Sequence, residues 1–168
     1  MLQPGSRTFS ALRSSAVSSN AGHIRAVEPG RNYISGVPPA KLSEAVIARV
    51  VPMLDGLVTG FHDSTIEAVI LDLFRGEAQL WVVNDFQAVI VTRILSRPKY
   101  RVLNVDWLVG AGLKDWIEEW KDIQLRFAKA HDCAKIEFVT ARKCNKIVEA
   151  LGPEFEPEYV VYRQDIRG

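Results

Sequence analysis

Apolar and polar positions change their spacing several times along this chain, and each change marks a boundary between elements. From Ala40 the apolar residues Leu42, Val46, Val50 and, beyond Pro52, Met53, Leu54 and Leu57 fall on one broad helical face. Proline lacks the amide hydrogen and crowds the preceding turn, so a kink or break is expected at Pro52. Ser64-Thr65-Ile66-Glu67 has the composition of a capping box. Ile66, Val69, Ile70, Leu73 and Phe74 then follow at helical spacing as far as Gly76, which predicts a short second helix. Three strand-like runs come next: Ala78 to Val83, Phe86 to Leu95 and Tyr100 to Val109. The first two are joined across Asn84-Asp85 and the last two across Ser96-Arg97-Pro98-Lys99. Links this short make antiparallel neighbours.

Gly110-Ala111-Gly112 ends the third run, and helical spacing resumes from Leu113 to about His131. Leu113, Trp116, Ile117, Trp120, Ile123 and Phe127 form its apolar stripe. Lys129 and His131 suit the negative end of that helix, and Asp122 with Arg126 is spaced for an i,i+4 pair. Lys135 to Val139 predicts a fourth strand, Arg142 to Leu151 a short helix ended by Gly152-Pro153, and Glu158 to Ile166 a last strand. The third and fourth strands are linked through a helix and should run parallel. The expected class is therefore α/β in the α+β sense: a mixed sheet, antiparallel in its N-terminal half, with a parallel pair flanking the long helix. The glycine turn has two readings. It bares N–H groups at a helix N-terminus, where a phosphate is favoured, or it lets the helix pack tightly on its sheet.

Composition narrows the function. The 168 residues suit one ordinary domain, and 21 Lys and Arg against 20 Asp and Glu leave no net field to draw the chain to nucleic acid, so no specific nucleic-acid binding is expected. Cys133 and Cys144 lack CxxC spacing and only three histidines are present, which offers neither a disulfide framework nor a metal site. No apolar run approaches the roughly 20 residues of a membrane span, so the protein is expected to be soluble, not secreted and not membrane-bound. Residues 1–36 are rich in Ser, Gly, Ala and Arg, with no acidic residue before Glu28, and cannot build a core. They are expected to form an extended N-terminal arm ahead of a domain at 37–168. A cleaved mitochondrial transit peptide is the other reading of such composition, although Pro4 and Gly5 interrupt the opening turn and no amphipathic helix stands out.

The order of elements, with a glycine turn between third strand and long helix, resembles the GNAT-type N-acyltransferase superfamily over about residues 40–166. In that family the turn carries Gln/Arg-x-x-Gly-x-Gly/Ala and binds the pyrophosphate of acetyl-CoA, while the neighbouring parallel strands splay to admit the pantetheine arm. Trp107-Leu108-Val109-Gly110-Ala111-Gly112 matches with both small residues and without the Gln/Arg. The resemblance implies that Leu108, Val109, Gly110, Ala111 and Gly112 would hold acetyl-CoA if it binds. Asn145 to Gly152 resembles the family's last helix, but the family's acidic tyrosine, four residues before the glycine, is Val148 here. Asp106 is the only carboxylate on the strand entering the turn and the one candidate base. On strict alternation it shares a face with Asn104 and Leu108, opposite Val105, Trp107 and Val109. Cys144 offers a thiol that is more simply a small buried hydrophobe. His23 in the arm, His62 in a loop and His131 at a helix end make no triad.

The substituted motif, the missing acid and the Ser/Arg-rich arm also resemble small GNAT-like proteins encoded by tailed bacteriophages, in which the fold serves as a virion component. The expectation drawn from that resemblance is a non-catalytic structural protein of a phage particle. It would be located in the virion or host cytoplasm, with residues 1–36 docking on other virion or assembly subunits and no cofactor expected. The alternative is an acetyl-CoA-dependent N-acetyltransferase.

Overall fold

A computed structural model describes residues 32–55, 64–138 and 145–156. Most of the N-terminal arm, the last strand expected at 158–166, Cys144, His23 and His62 lie outside the described residues. Two helices, α1 (Glu44–Asp55) and α2 (Ile66–Arg75), follow a first strand β1 (Ile34–Val37) and one turn of 3₁₀ helix at Pro39–Lys41. Strands β2 (Ala78–Val83), β3 (Ala88–Ser96) and β4 (Arg101–Gly110) come next. Helix α3 (Leu113–Ala130), strand β5 (Cys133–Phe138) and helix α4 (Asn145–Leu151) complete the described order. The five strands form one sheet in the order β1-β2-β3-β4-β5, antiparallel throughout except for the parallel pair β4–β5. This is the mixed α/β architecture expected from the spacing of apolar residues.

Period-two alternation sends β2 and β3 side chains into two separate cores. Leu80, Val82, Val89 and Val91 pack with Val50 and Leu54 of α1 and Val69 and Leu73 of α2. Trp81, Val83, Ala88 and Ile90 pack on the other face with Trp116, Ile117 and Trp120 of α3 and Leu151 of α4. Trp81 meets Trp120 and Phe127 edge-on at 5.4 and 5.0 Å between ring centres, a geometry that aromatic quadrupoles favour. Its indole N–H donates to Thr92 Oγ1 at 3.0 Å, which satisfies a donor that burial would otherwise orphan.

Several local expectations change. β1 is an added strand: Ile34–Val37 pairs with Leu80–Val83, across the limit of 36 set for the arm. Helix α1 runs through Pro52 to Asp55. Pro52 and Ala48, whose carbonyl loses its partner, are both exposed, so that carbonyl is open to solvent while Val50 and Leu54 stay buried. The α2 cap is Thr65, whose hydroxyl accepts from Ala68 N–H at 3.3 Å, so Glu67 is not the third helical residue a reciprocal box requires. Arg126 donates Nε to the carbonyl of Asp122 at 3.3 Å. Among the described residues no helix is long and apolar enough to cross a membrane.

Candidate active site

Strand β4 carries one residue more than β3 opposite it. Val91 pairs with Trp107 and Thr92 with Val105, which leaves Asp106 as the extra residue of a β-bulge. The bulge shifts the alternation. Before it, Asn104 lies opposite Arg93 and Val105 joins the α3-side core; after it, Trp107 and Val109 turn to the α1–α2 side and Leu108 to the α3 side. Asp106 therefore shares a face with Asn104, as expected, but not with Leu108, because strict alternation fails at the inserted residue.

β3 follows β4 to Gly110, and the described pairing with β5 runs to Val105 opposite Phe138, the last residue described there. Strand β4 leads directly into the glycine turn. Gly110 has φ 138° and Gly112 φ 69°, both in the positive region that disfavours a side chain. Added Cβ atoms would lie 2.4 Å from Ala88 Cα at Gly110 and 2.2 Å from Gln87 Nε2 at Gly112. The turn is thus packed on the loop between β2 and β3, and tight packing is one of its jobs. Ala111 N–H donates to the Gln87 carbonyl at 3.0 Å, and Trp116 Nε1 donates to the Ala111 carbonyl at 2.9 Å. The N–H groups of Gly112, Leu113 and Lys114 open helix α3 and have no intrahelical acceptor, which leaves three donors at the positive end of an 18-residue helix.

Asp106 is held in a charged row that reaches helix α2. Asn104 donates its side-chain amide to Asp106 Oδ1. Arg93 Nε lies 3.2 Å from Asp106 Oδ2, near enough for charge attraction although its N–H is not aligned for a hydrogen bond. Arg93 Nη2 lies 2.9 Å from Asp72 Oδ2. Next to Asn104 across the parallel pair is Glu137, with Oε2 2.6 Å from Arg97 Nη2 and Oε1 buried without a hydrogen bond. Asp72, Arg93 and Glu137 were not candidates from sequence. Arg93 was visible as the one charge in an apolar strand, but its partners come from a helix and a strand far along the chain.

The remaining candidates stand apart from this row. Val148 is half exposed on α4 and cannot donate a proton. His131 closes α3 with its ring 4.3 Å from that of Phe127. Burial pushes the Cys133 thiol up from its ordinary range, with Arg101 opposing the shift, so it is not a ready nucleophile. Among the described residues no group of His, Cys, Asp or Glu could hold a metal ion. An apolar groove of about 250 Å³, lined by Val37, Pro39, Leu80, Trp81 and Phe127 among others, lies along β1, on the side of the sheet away from β4.

No protein-family model matches the sequence, and no curated protein resembles it significantly. Solved structures do. A ribosomal-protein-alanine N-acetyltransferase from Brucella melitensis biovar Abortus 2308 superposes with TM-score 0.59 at 13% identity, over 81% of this chain and 99% of that one. An aminoglycoside acetyltransferase from an uncultured soil metagenomic sample, in complex with sisomicin, gives TM-score 0.59 at 9% identity over 81% and 97%. An acetyltransferase from Clostridium acetobutylicum with acetyl-CoA gives 0.54 at 14% over 79% and 96%. At such identities the likeness establishes the fold, which is that of GNAT acetyltransferases. It also corrects the expectation of a virion structural protein without a cofactor. These neighbours are acetyltransferases, one of them holding acetyl-CoA, and nothing among them points to a phage particle. The missing Gln/Arg misled because the turn's donors are main-chain groups, present whatever side chain precedes them.

Proposed function

We propose that this chain is an acetyl-CoA-dependent N-acetyltransferase. The reading is carried by the turn that leaves β4: Gly110-Ala111-Gly112 ends the strand and opens helix α3 with three N–H groups that have no intrahelical acceptor, in a fold shared with acetyltransferases. The residues present fit an acyl-CoA. Leu108, Val109 and Gly110 lead the strand into the turn, and Gly112, Leu113 and Lys114 offer N–H groups to a diphosphate. Ala111 contributes the shape of the turn, since its own N–H is already bonded to Gln87. Acetyl-CoA, when bound, supplies an acetyl thioester that an amine nitrogen can attack.

The chain's own contribution centres on Asp106. Its carboxylate, on the bulge before the turn and braced by Asn104 and Arg93, can hold the attacking amine or a water and take the proton released there. Val148 offers no acid, so the departing sulfur is protonated by water. Acylation of an amine, rather than of a hydroxyl, accords with the N-acetyltransferase name of the Brucella neighbour. Titration calorimetry with acetyl-CoA tests the reading: micromolar binding, roughly −8 kcal/mol, is expected. Mass spectrometry of an amine panel that includes an N-terminal alanine peptide and an aminoglycoside then follows transfer. Absence of heat at millimolar acetyl-CoA would overturn the proposal.

A further inference from the structure

We infer that Gln87, in the loop between β2 and β3, positions the glycine turn for the diphosphate of an acyl-CoA. It does from a neighbouring loop what no polar side chain on β4 does here. The inference rests on the proposed acetyl-CoA reading. Trp107, at the place of the missing Gln/Arg, is buried against the α1–α2 side of the sheet. Gln87 instead grips the turn with two groups. Its carbonyl accepts from Ala111 N–H at 3.0 Å, and its Nε2 donates to the Ala111 carbonyl at 3.4 Å. Asn84 donates its side-chain amide to Gln87 Oε1, which fixes the nitrogen end of the carboxamide toward the turn. Asn84 is itself held by β1: its N–H donates to the Tyr33 carbonyl at 2.6 Å, and its Oδ1 accepts from Tyr33 N–H at 2.9 Å.

The consequence follows from peptide geometry. In a trans peptide unit the C=O of one residue and the N–H of the next point in opposite directions. Gln87 Nε2 and Trp116 Nε1 both hold the Ala111 carbonyl toward the protein. The Gly112 N–H, in the same plane, is thereby directed outward, beside the free N–H groups that open α3. Gln87 is thus a positioning residue: it acts on the ligand through the orientation of one peptide plane.

Two ligands separate this role from general support of the fold. S-acetylpantetheine carries the thioester and both amides of acetyl-CoA but lacks the diphosphate. Calorimetric titration with acetyl-CoA and NMR titration with S-acetylpantetheine are compared for the full chain and for Gln87→Met, which keeps side-chain length and removes the donor. Gln87→Leu, which removes the donor without adding charge, serves if the methionine variant does not fold. The expected result is about a fivefold to tenfold weaker affinity for acetyl-CoA, with affinity for S-acetylpantetheine unchanged. Equal loss for both ligands, or no loss for either, overturns the inference and leaves the acetyl-CoA reading standing. A wild-type chain that binds no acetyl-CoA overturns both.

Discussion

Gly110 and Gly112 look alike in sequence, yet their surroundings make them unequal. A Cβ on Gly110 would press into the main chain of Ala88, which cannot yield, at a φ of 138°. On Gly112 the obstacle is the end of the Gln87 side chain, which can swing away, and φ is 69°. Gly110→Ala is expected to destabilise by roughly 3 kcal/mol and Gly112→Ala by about 1 kcal/mol in urea unfolding. Equal losses would contradict this account of the turn. Asp106 invites a kinetic test. Asp106→Asn should lower the rate of amine acetylation about a hundredfold or more while leaving the acetyl-CoA dissociation constant unchanged, and an unaltered rate would exclude it as proton acceptor. Asp106 was legible as the only carboxylate before the turn. Its partnership with Arg93 and Asp72 was not, because spacing along one strand says nothing about which helix lies across it.

Elements were legible wherever one period ran unbroken, as in α3, where the Trp116, Ile117 and Trp120 stripe is buried as expected. They were misjudged where a single residue interrupts the period. Pro52 does not break α1, because its lost bond falls on the exposed side, and the bulge at Asp106 reverses the facing of half a strand. β1 escaped notice because four residues around a glycine carry too little alternation to register. The β2–β3 loop gains its shape from α1. Arg49 pairs with Asp85 at 2.7 Å and stacks over Phe86 at 4.1 Å, where Phe86 is held at φ 60°. Hydrogen bonding and charge from Arg49 hold the Asp85 carboxyl below its usual range. A depressed folded-state value means that the contribution is present above the unfolded aspartate value and lost as pH falls through the folded one. Asp85→Asn is accordingly expected to lower Tm by about a degree or two at neutral pH, as this pair is exposed. The gap should close in acid; one that persists there would show that charge is not its source.

For the molecule as a whole, the layered α/β plan with a parallel pair around the long helix was readable before any coordinates, since it needs only the order of periods and short links. Function was less readable. The proposed activity draws on main-chain donors at the opening of α3, which leave no side-chain signature. If acetyl-CoA binds the folded chain alone, thermal unfolding should respond by mass action, with about 2.7 kcal/mol of added stability at a concentration one hundred times the dissociation constant. A melting curve indifferent to millimolar acetyl-CoA would contradict a site formed only on folding. The inserted residue on β4 has one more effect. With Asp106 out of step, this strand has one parity before it and the opposite parity after it. Set beside any strand that lacks the insertion, it must be given a one-residue gap there. Without the gap, inward and outward positions are exchanged all the way to Gly110, and equivalences inferred across that stretch belong to opposite sides of the sheet.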